Sequence, residues 1–166
     1  ATPSGAPELD IVDAWVDILS DYPTVNDFIV WKDNLGMLCG SDSGSSYYDA
    51  TPGCTMGSWD YRRYAELFQA VDTTFRSVRP GVRLYGPNIH LGARGEGYDD
   101  LFNGVSLDSR DIDFLELFLA SSQAATPEFT FDGVAISGEF DSGEWPLVIQ
   151  YLKSLVGSTP LVIMDG

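Results

Sequence analysis

The chain has 166 residues, 44% of them hydrophobic, with 9 Lys plus Arg against 25 Asp plus Glu and a formal net charge of −16. That length and apolar fraction suit one globular domain rather than a disordered segment. The charge disfavours phosphate backbones and anionic lipid, so neither nucleic acid nor a membrane is an expected partner, and no apolar run approaches the ~20 residues of a membrane span.

The chain opens Ala1-Thr2-Pro3 without a Met or a signal-like segment. It therefore reads as the product of a cleavage or as part of something longer. Leu9, Ile11, Val12, Trp15, Ile18 and Leu19 recur at helical spacing, and Asp21-Tyr22-Pro23 is expected to stop that helix. Phe28-Ile29-Val30-Trp31 follows, four large apolar residues that read as a strand buried on both faces. Lys32, Asp33 and Asn34 come at once after it. In parallel α/β proteins, chemistry sits beyond the carboxyl end of such a strand.

Residues 35–59 form a long loop with five glycines, Tyr47, Tyr48 and Trp59, and both cysteines, Cys39 and Cys54. Loops of this length are usually functional, and the aromatic faces suit sugar stacking or packing on the rim. A Cys39–Cys54 disulfide is expected, closing a ~15-residue loop and contributing about 3 kcal/mol in a secreted protein, with two free thiols as the alternative. Two cysteines and the single His90 are too few ligands for a zinc site, so no metal is expected.

Asp60 starts a helix with Tyr61, Tyr64, Leu67, Val71, Phe75 and Val78 on one face, and Pro80-Gly81 ends it. A strand over Val82–Tyr85 leads into Gly86-Pro87-Asn88-Ile89-His90, then a second loop over Gly92–Tyr98 and a short helical piece near Asp99–Phe102. Asp108 or Ser109 caps a helix reaching Ala124, with Ile112, Leu115, Phe118 and Leu119 inward. The acidic residues Asp99, Asp100, Asp108, Asp111 and Asp113 read as helix-start charges rather than a calcium site. A strand over Phe131–Ser137 precedes Glu139, Pro146 opens a helix that Gly157 stops, and Leu161–Met164 is a last strand before Asp165-Gly166.

Buried strands alternating with amphipathic helices imply a parallel sheet. The long loops follow strands rather than helices, which fits one partial (β/α)₈ barrel domain over residues 1–166 with four of eight strands visible. A doubly wound sheet is the alternative, but no glycine-rich phosphate loop follows any strand, and no cofactor is expected.

The runs Phe28–Asn34, Trp59–Phe68 and Val78–Pro87 resemble the middle of the clan A glycoside hydrolases, nearest their β-xylosidase-like branch with its bacteriophage-tail relatives. The likeness covers roughly residues 9–166, from the third helix to the seventh strand. It implies an extracellular glycan-hydrolysing cleft, with Asp33 as acid/base and Asp165 as nucleophile or water-activating base. Lys32 occupies the position of a 2-hydroxyl-binding Asn. Trp31, Asn34, Trp59, His90 and Glu139 are the other candidate carbohydrate contacts.

The chain departs from the family in having Asp at both Glu positions, each shorter by about 1.5 Å. Two such changes move the carboxyl gap towards the inverting range or leave it unproductive. The alternative function is a catalytically inactive barrel, a structural or carbohydrate-binding part of an extracellular assembly such as a phage tail fibre or surface filament. Either way, further barrel segments or a second chain are expected to complete the sheet.

Overall fold

A computed structural model of the chain describes residues 9–30, 61–92, 99–124 and 129–164. The order is α1 (Leu9–Asp21), β1 (Asp27–Ile29), α2 (Tyr61–Val78), β2 (Arg83–His90), β3 (Asp99–Phe102), β4 (Val105–Asp108), α3 (Ser109–Ala124), β5 (Gly133–Ser137), α4 (Glu144–Val156) and β6 (Leu161–Ile163). The fold is α/β. Strands β1, β2, β5 and β6 form one parallel sheet in that order, which is also their order along the chain. The sheet is open, with β1 and β6 at its edges, and no barrel closes among the described residues.

The register assigns each side chain to a face. Phe28 pairs with Leu84, and Tyr85 with Gly133, so Leu84 and Val134 share the other side of the sheet. Ile89, Ile136 and Ile163 are on that side too, through the pairs Ile89↔Ile136 and Ile136↔Ile163. The helices cover it. Phe28 meets Phe75 of α2 edge-on at 5.6 Å, and Leu84, Ile89, Val134 and Ile136 are fully buried. Ile163, at the sheet edge, is half exposed.

Aromatic rings fill the space between helices and sheet. Tyr64, Phe68, Phe114 and Phe118 are all buried, with centroids 5.3–6.1 Å apart in the tilted and edge-on arrangements that ring quadrupoles favour. The Tyr64 hydroxyl donates to the Val30 carbonyl at 2.6 Å, fixing α2 over the end of β1. Val78, placed by the helical spacing on the apolar face, is instead exposed.

Burial pushes the Tyr64 phenol well above its ordinary value. The native state therefore keeps a proton that the unfolded chain gives up near pH 10. This contribution is complete below that pH and is lost as pH rises towards the folded value. We expect stability to denaturant to fall by about 1.4 kcal/mol per pH unit above pH 10 from this group. The Tyr64→Phe protein should show a decline shallower by that amount, and equal slopes for the two proteins would refute the assignment.

At the amino end of the sheet, Arg76 of α2 bonds Asp72, the Val82 carbonyl at 3.0 Å and Asp132 at 2.8 Å. The same Asp132 oxygen accepts the Leu84 N–H at 2.8 Å, so one cluster ties α2 to the starts of β2 and β5. Arg79 donates to the Leu19, Tyr22 and Val25 carbonyls, holding the end of α1 to α2.

Three expectations change. Residues Asp99–Phe102 are a strand and not a short helix, paired antiparallel with β4. Asn103 and Gly104 both adopt positive φ, 51° and 86°, as the tight two-residue turn of a hairpin requires. Asp99 and Asp100 are consequently strand residues rather than helix-start charges. Strand β2 does not stop at Tyr85 but runs through Gly86-Pro87 to His90, the register shifting between Tyr85 and Asn88. Proline lacks the N–H a regular ladder needs, and an irregularity of this kind admits it. Strand β1 covers Asp27–Ile29; Val30, expected inside it, lies just beyond its end, and Trp31 lies outside the described residues.

Candidate functional site at the carboxyl ends of the strands

The face of the sheet away from the helices carries Asp27, Ile29, Tyr85, Asn88, His90, Ala135, Ser137 and Val162 by the same register. Its polar residues fall into two groups. At the amino end, Asp27 accepts from Tyr85 at 2.9 Å and from Arg83 at 2.6 Å. The bond from Arg83, then that from Tyr85, holds the Asp27 carboxyl below its usual range. This trio is a sheet-edge ion pair with a phenol beside it, on β1 and the first half of β2.

The second group sits at the carboxyl end. His90 and Ser137 are register partners, the last residues of β2 and β5, with Nδ1 of His90 3.3 Å from Oγ of Ser137. Oγ of Ser137 also donates to the Ile89 carbonyl at 3.4 Å. Leu91 N–H donates to the Ser137 carbonyl at 2.9 Å, so the two strand ends stay together as their loops begin.

Glu139 is two residues further on and exposed. Its backbone nitrogen lies near Gly92, within 3.9 Å of where a side chain there would begin. The turn carrying Glu139 is anchored from behind. Asp141 Oδ1 accepts from Gly143 at 2.7 Å and Glu144 at 2.9 Å, while Glu144 accepts the Asp141 N–H at 3.0 Å. That reciprocal pair caps α4. Phe140 stacks edge-on against Trp145 at 5.0 Å.

The β3–β4 hairpin stands on the same end of the sheet. Leu107 bridges to Gly92, just past β2. Phe102 packs on Tyr151 of α4 at 5.0 Å, and Asn103 reaches the Leu147 carbonyl and Gln150. Asp108 caps α3 as its position predicts, accepting the Arg110 N–H at 3.0 Å. It is also fully buried and held by the Arg110 guanidinium at 3.0 and 2.7 Å. Asn88 and Asp111 are buried polar residues as well.

Of the sequence-predicted site residues, the structure brings His90 and Glu139 to one end of the sheet. Trp31, Lys32, Asp33, Asn34, Trp59 and Asp165 lie outside the described residues, as do Cys39 and Cys54. Chain order still places two anchors: Val30, just beyond β1, precedes Asp33 by three residues, and Met164, just beyond β6, directly precedes Asp165. These strands are the two sheet edges, three interstrand steps apart, or about 14 Å. Ser137 is the functional candidate that the sequence did not single out. No group of three or more metal-ligating side chains occurs among the described residues.

An apolar groove of about 330 Å³ runs along the open edge of β1, lined by Trp15, Ile18, Phe28, Val30, Val71 and Phe75. No described helix is long and apolar enough to cross a membrane. No family model, curated protein or solved structure matches this chain.

Proposed function

We propose that the chain is part of a (β/α)₈ barrel of the clan A glycoside hydrolase type that binds and hydrolyses extracellular glycans at the carboxyl end of its strands. The observation that carries this reading is the order of the sheet. Four parallel strands stand side by side in chain order, the arrangement of successive barrel strands, with no reversal of the kind a doubly wound nucleotide-binding sheet contains. The segments that follow β2 and β5, carrying the hairpin and Glu139, leave from the end of the sheet marked by His90 and Ser137. In a barrel that end is the working face.

In this reading Asp33 is the general acid and Asp165 the nucleophile or water-activating base. Lys32 and His90 contact sugar hydroxyls, Trp31 and Trp59 supply stacking faces, and Asn34 and Glu139 line the cleft. The sheet face carrying Tyr85, Asn88 and Ala135 is the barrel interior. The missing strands come from a longer chain or from a second copy, seated against β1 and β6. Parallel sheets are ordinarily covered on both faces, which supports such completion.

A second reading has one observation in its favour. The groove along β1 and the exposed Ile163 on β6 leave apolar surface at both edges, as suits a building block of an extracellular assembly. A catalytically inactive barrel that binds carbohydrate in a tail fibre or filament has the same fold.

One experiment separates them. The protein is assayed on a panel of aryl glycosides and, in parallel, for binding to immobilised glycans. The hydrolase reading expects turnover of at least one glycoside class. Binding without turnover selects the structural reading, and an absence of both overturns carbohydrate recognition altogether.

A further inference from the structure

Of the asparagines in the chain, Asn103 is the one followed by glycine. The two residues form the tip of the β3–β4 hairpin, beyond its last pair, Phe102↔Val105. Both are exposed, with φ angles of 51° and 86°. In such a turn the ladder bonds belong to the flanking pair, so the Gly104 nitrogen takes no part in them. A Cβ on Gly104 would meet no heavy atom within 4 Å among the described residues, and that side of the peptide is open.

The Asn103 amide ties this tip to α4. Its Nδ2 donates to the Leu147 carbonyl at 3.3 Å and to Oε1 of Gln150 at 3.2 Å. Both bonds are exposed and at the long end for N–H···O. They slow the departure of Nδ2 without preventing it.

We propose that Asn103-Gly104 is a site of spontaneous deamidation, and that the reaction cuts the tether between the hairpin tip and α4. The Gly104 backbone nitrogen gives its proton to a solvent base and attacks Cγ of Asn103. The N–Cγ bond forms, the Cγ–Nδ2 bond breaks, and Nδ2 takes a proton from water and leaves as ammonia. Water then opens the cyclic imide at either carbonyl, giving aspartate or isoaspartate. The net reaction consumes one water and releases one ammonia. Glycine favours the attack because no side chain crowds its nitrogen.

The new carboxylate accepts hydrogen bonds and donates none. It faces the Leu147 carbonyl, also an acceptor, so that bond is lost, whereas Gln150 can turn its amide to donate. Isoaspartate also adds a backbone atom to a two-residue turn, whose geometry has no room for it. The base of the hairpin is held separately, by the fully buried Leu107 and its bridge to Gly92, so the release is confined to the tip. Hairpin and helix carry the proposal without the glycan reading above.

The folded protein is incubated at mildly alkaline pH and mapped by peptide mass spectrometry, with isoaspartate scored at each asparagine. Deamidation is expected at Asn103 ahead of Asn26, Asn34 and Asn88, whose followers Asp27, Leu35 and Ile89 carry side chains. Its rate should rise with pH, since the attacking nitrogen must lose its proton. Gln150→Ala removes one acceptor from Nδ2 and should speed the reaction about twofold to tenfold, the change that one hydrogen bond of typical net strength carries. Wild-type protein unfolded in urea should also react faster than the folded protein, a comparison that needs no variant. In the deamidated protein, hydrogen exchange should quicken at residues 101–105 and stay unchanged at Leu107. Another asparagine reacting first, a rate unmoved both by Gln150→Ala and by urea, or unchanged exchange at the hairpin tip overturns the inference.

Discussion

Replacing Gly86 with alanine is expected to destabilise the protein by about 2–6 kcal/mol, a large part of the ~5–15 kcal/mol that holds a typical domain. A Cβ at this position would lie 2.2 Å from the Tyr64 hydroxyl oxygen and 2.9 Å from a Phe68 ring carbon. Neither neighbour is a surface side chain with room to swing, for both are fully buried among aromatic rings. For Tyr64 to yield, its hydroxyl must leave the Val30 carbonyl, 2.6 Å away. The cost therefore combines overpacking, about 1–3 kcal/mol, with a buried hydrogen bond lost, about 1–3 kcal/mol. For a chain of this length the melting temperature should drop on the order of 10 °C.

A double-mutant cycle isolates the contact. Tyr64→Phe removes the oxygen at 2.2 Å, so the second substitution should cost less in its presence than alone. Gly81→Ala is the control, with nothing within 4 Å of its Cβ, and should be nearly neutral. A loss below 1 kcal/mol for Gly86→Ala would show that β2 and α2 do not pack this closely.

The parallel sheet was legible because its strands are short uninterrupted apolar runs between amphipathic helices. Phe28–Trp31 and Phe131–Ser137 announce strands; the pairings bear out their direction, β5 is buried as expected, and Phe28 and Ile29 of the edge strand β1 are only partly buried. The helices were legible for the same reason, together with their stops, since Gly157 ends α4 at a φ of 62°.

What was missed follows from local signals that mislead. Gly86-Pro87 is punctuation that normally closes a strand, and only the register shift beside it allows β2 to continue to His90. Asp99-Asp100 resembles the acidic first turn of a helix, whereas the Asn103-Gly104 turn a few residues later is the local mark of the hairpin that forms. Of the two expected caps, Asp108 and Ser109, the structure selects Asp108, but nothing local indicates that its carboxylate is fully buried against Arg110. Ser137 shows the deeper limit. Its relation to His90, 47 positions away, exists only through the pairing of β2 with β5, and composition cannot reveal a register.

On the hydrolase reading proposed above, the pair Asp33 and Asp165 carries the largest expected functional effect. Asp33→Asn should lower turnover of an aryl glycoside by about 10²–10⁴-fold while leaving glycan affinity nearly unchanged, because the amide keeps the shape and loses the proton to be transferred. The stereochemical outcome follows from length. Retaining enzymes hold their carboxyls ~5–5.5 Å apart, and inverting enzymes ~6.5–9.5 Å apart to admit a water. The glutamates of the resembled family would be shortened here by about 1.5 Å on each side, opening a retaining gap to roughly 8 Å. Hydrolysis is therefore expected to invert the anomeric centre, as the first-formed anomer in a proton NMR time course will report. Lengthening both side chains together, Asp33→Glu with Asp165→Glu, should turn the product towards retention. Undiminished turnover in Asp33→Asn removes this residue from the mechanism, and with it the case for hydrolysis by this pair.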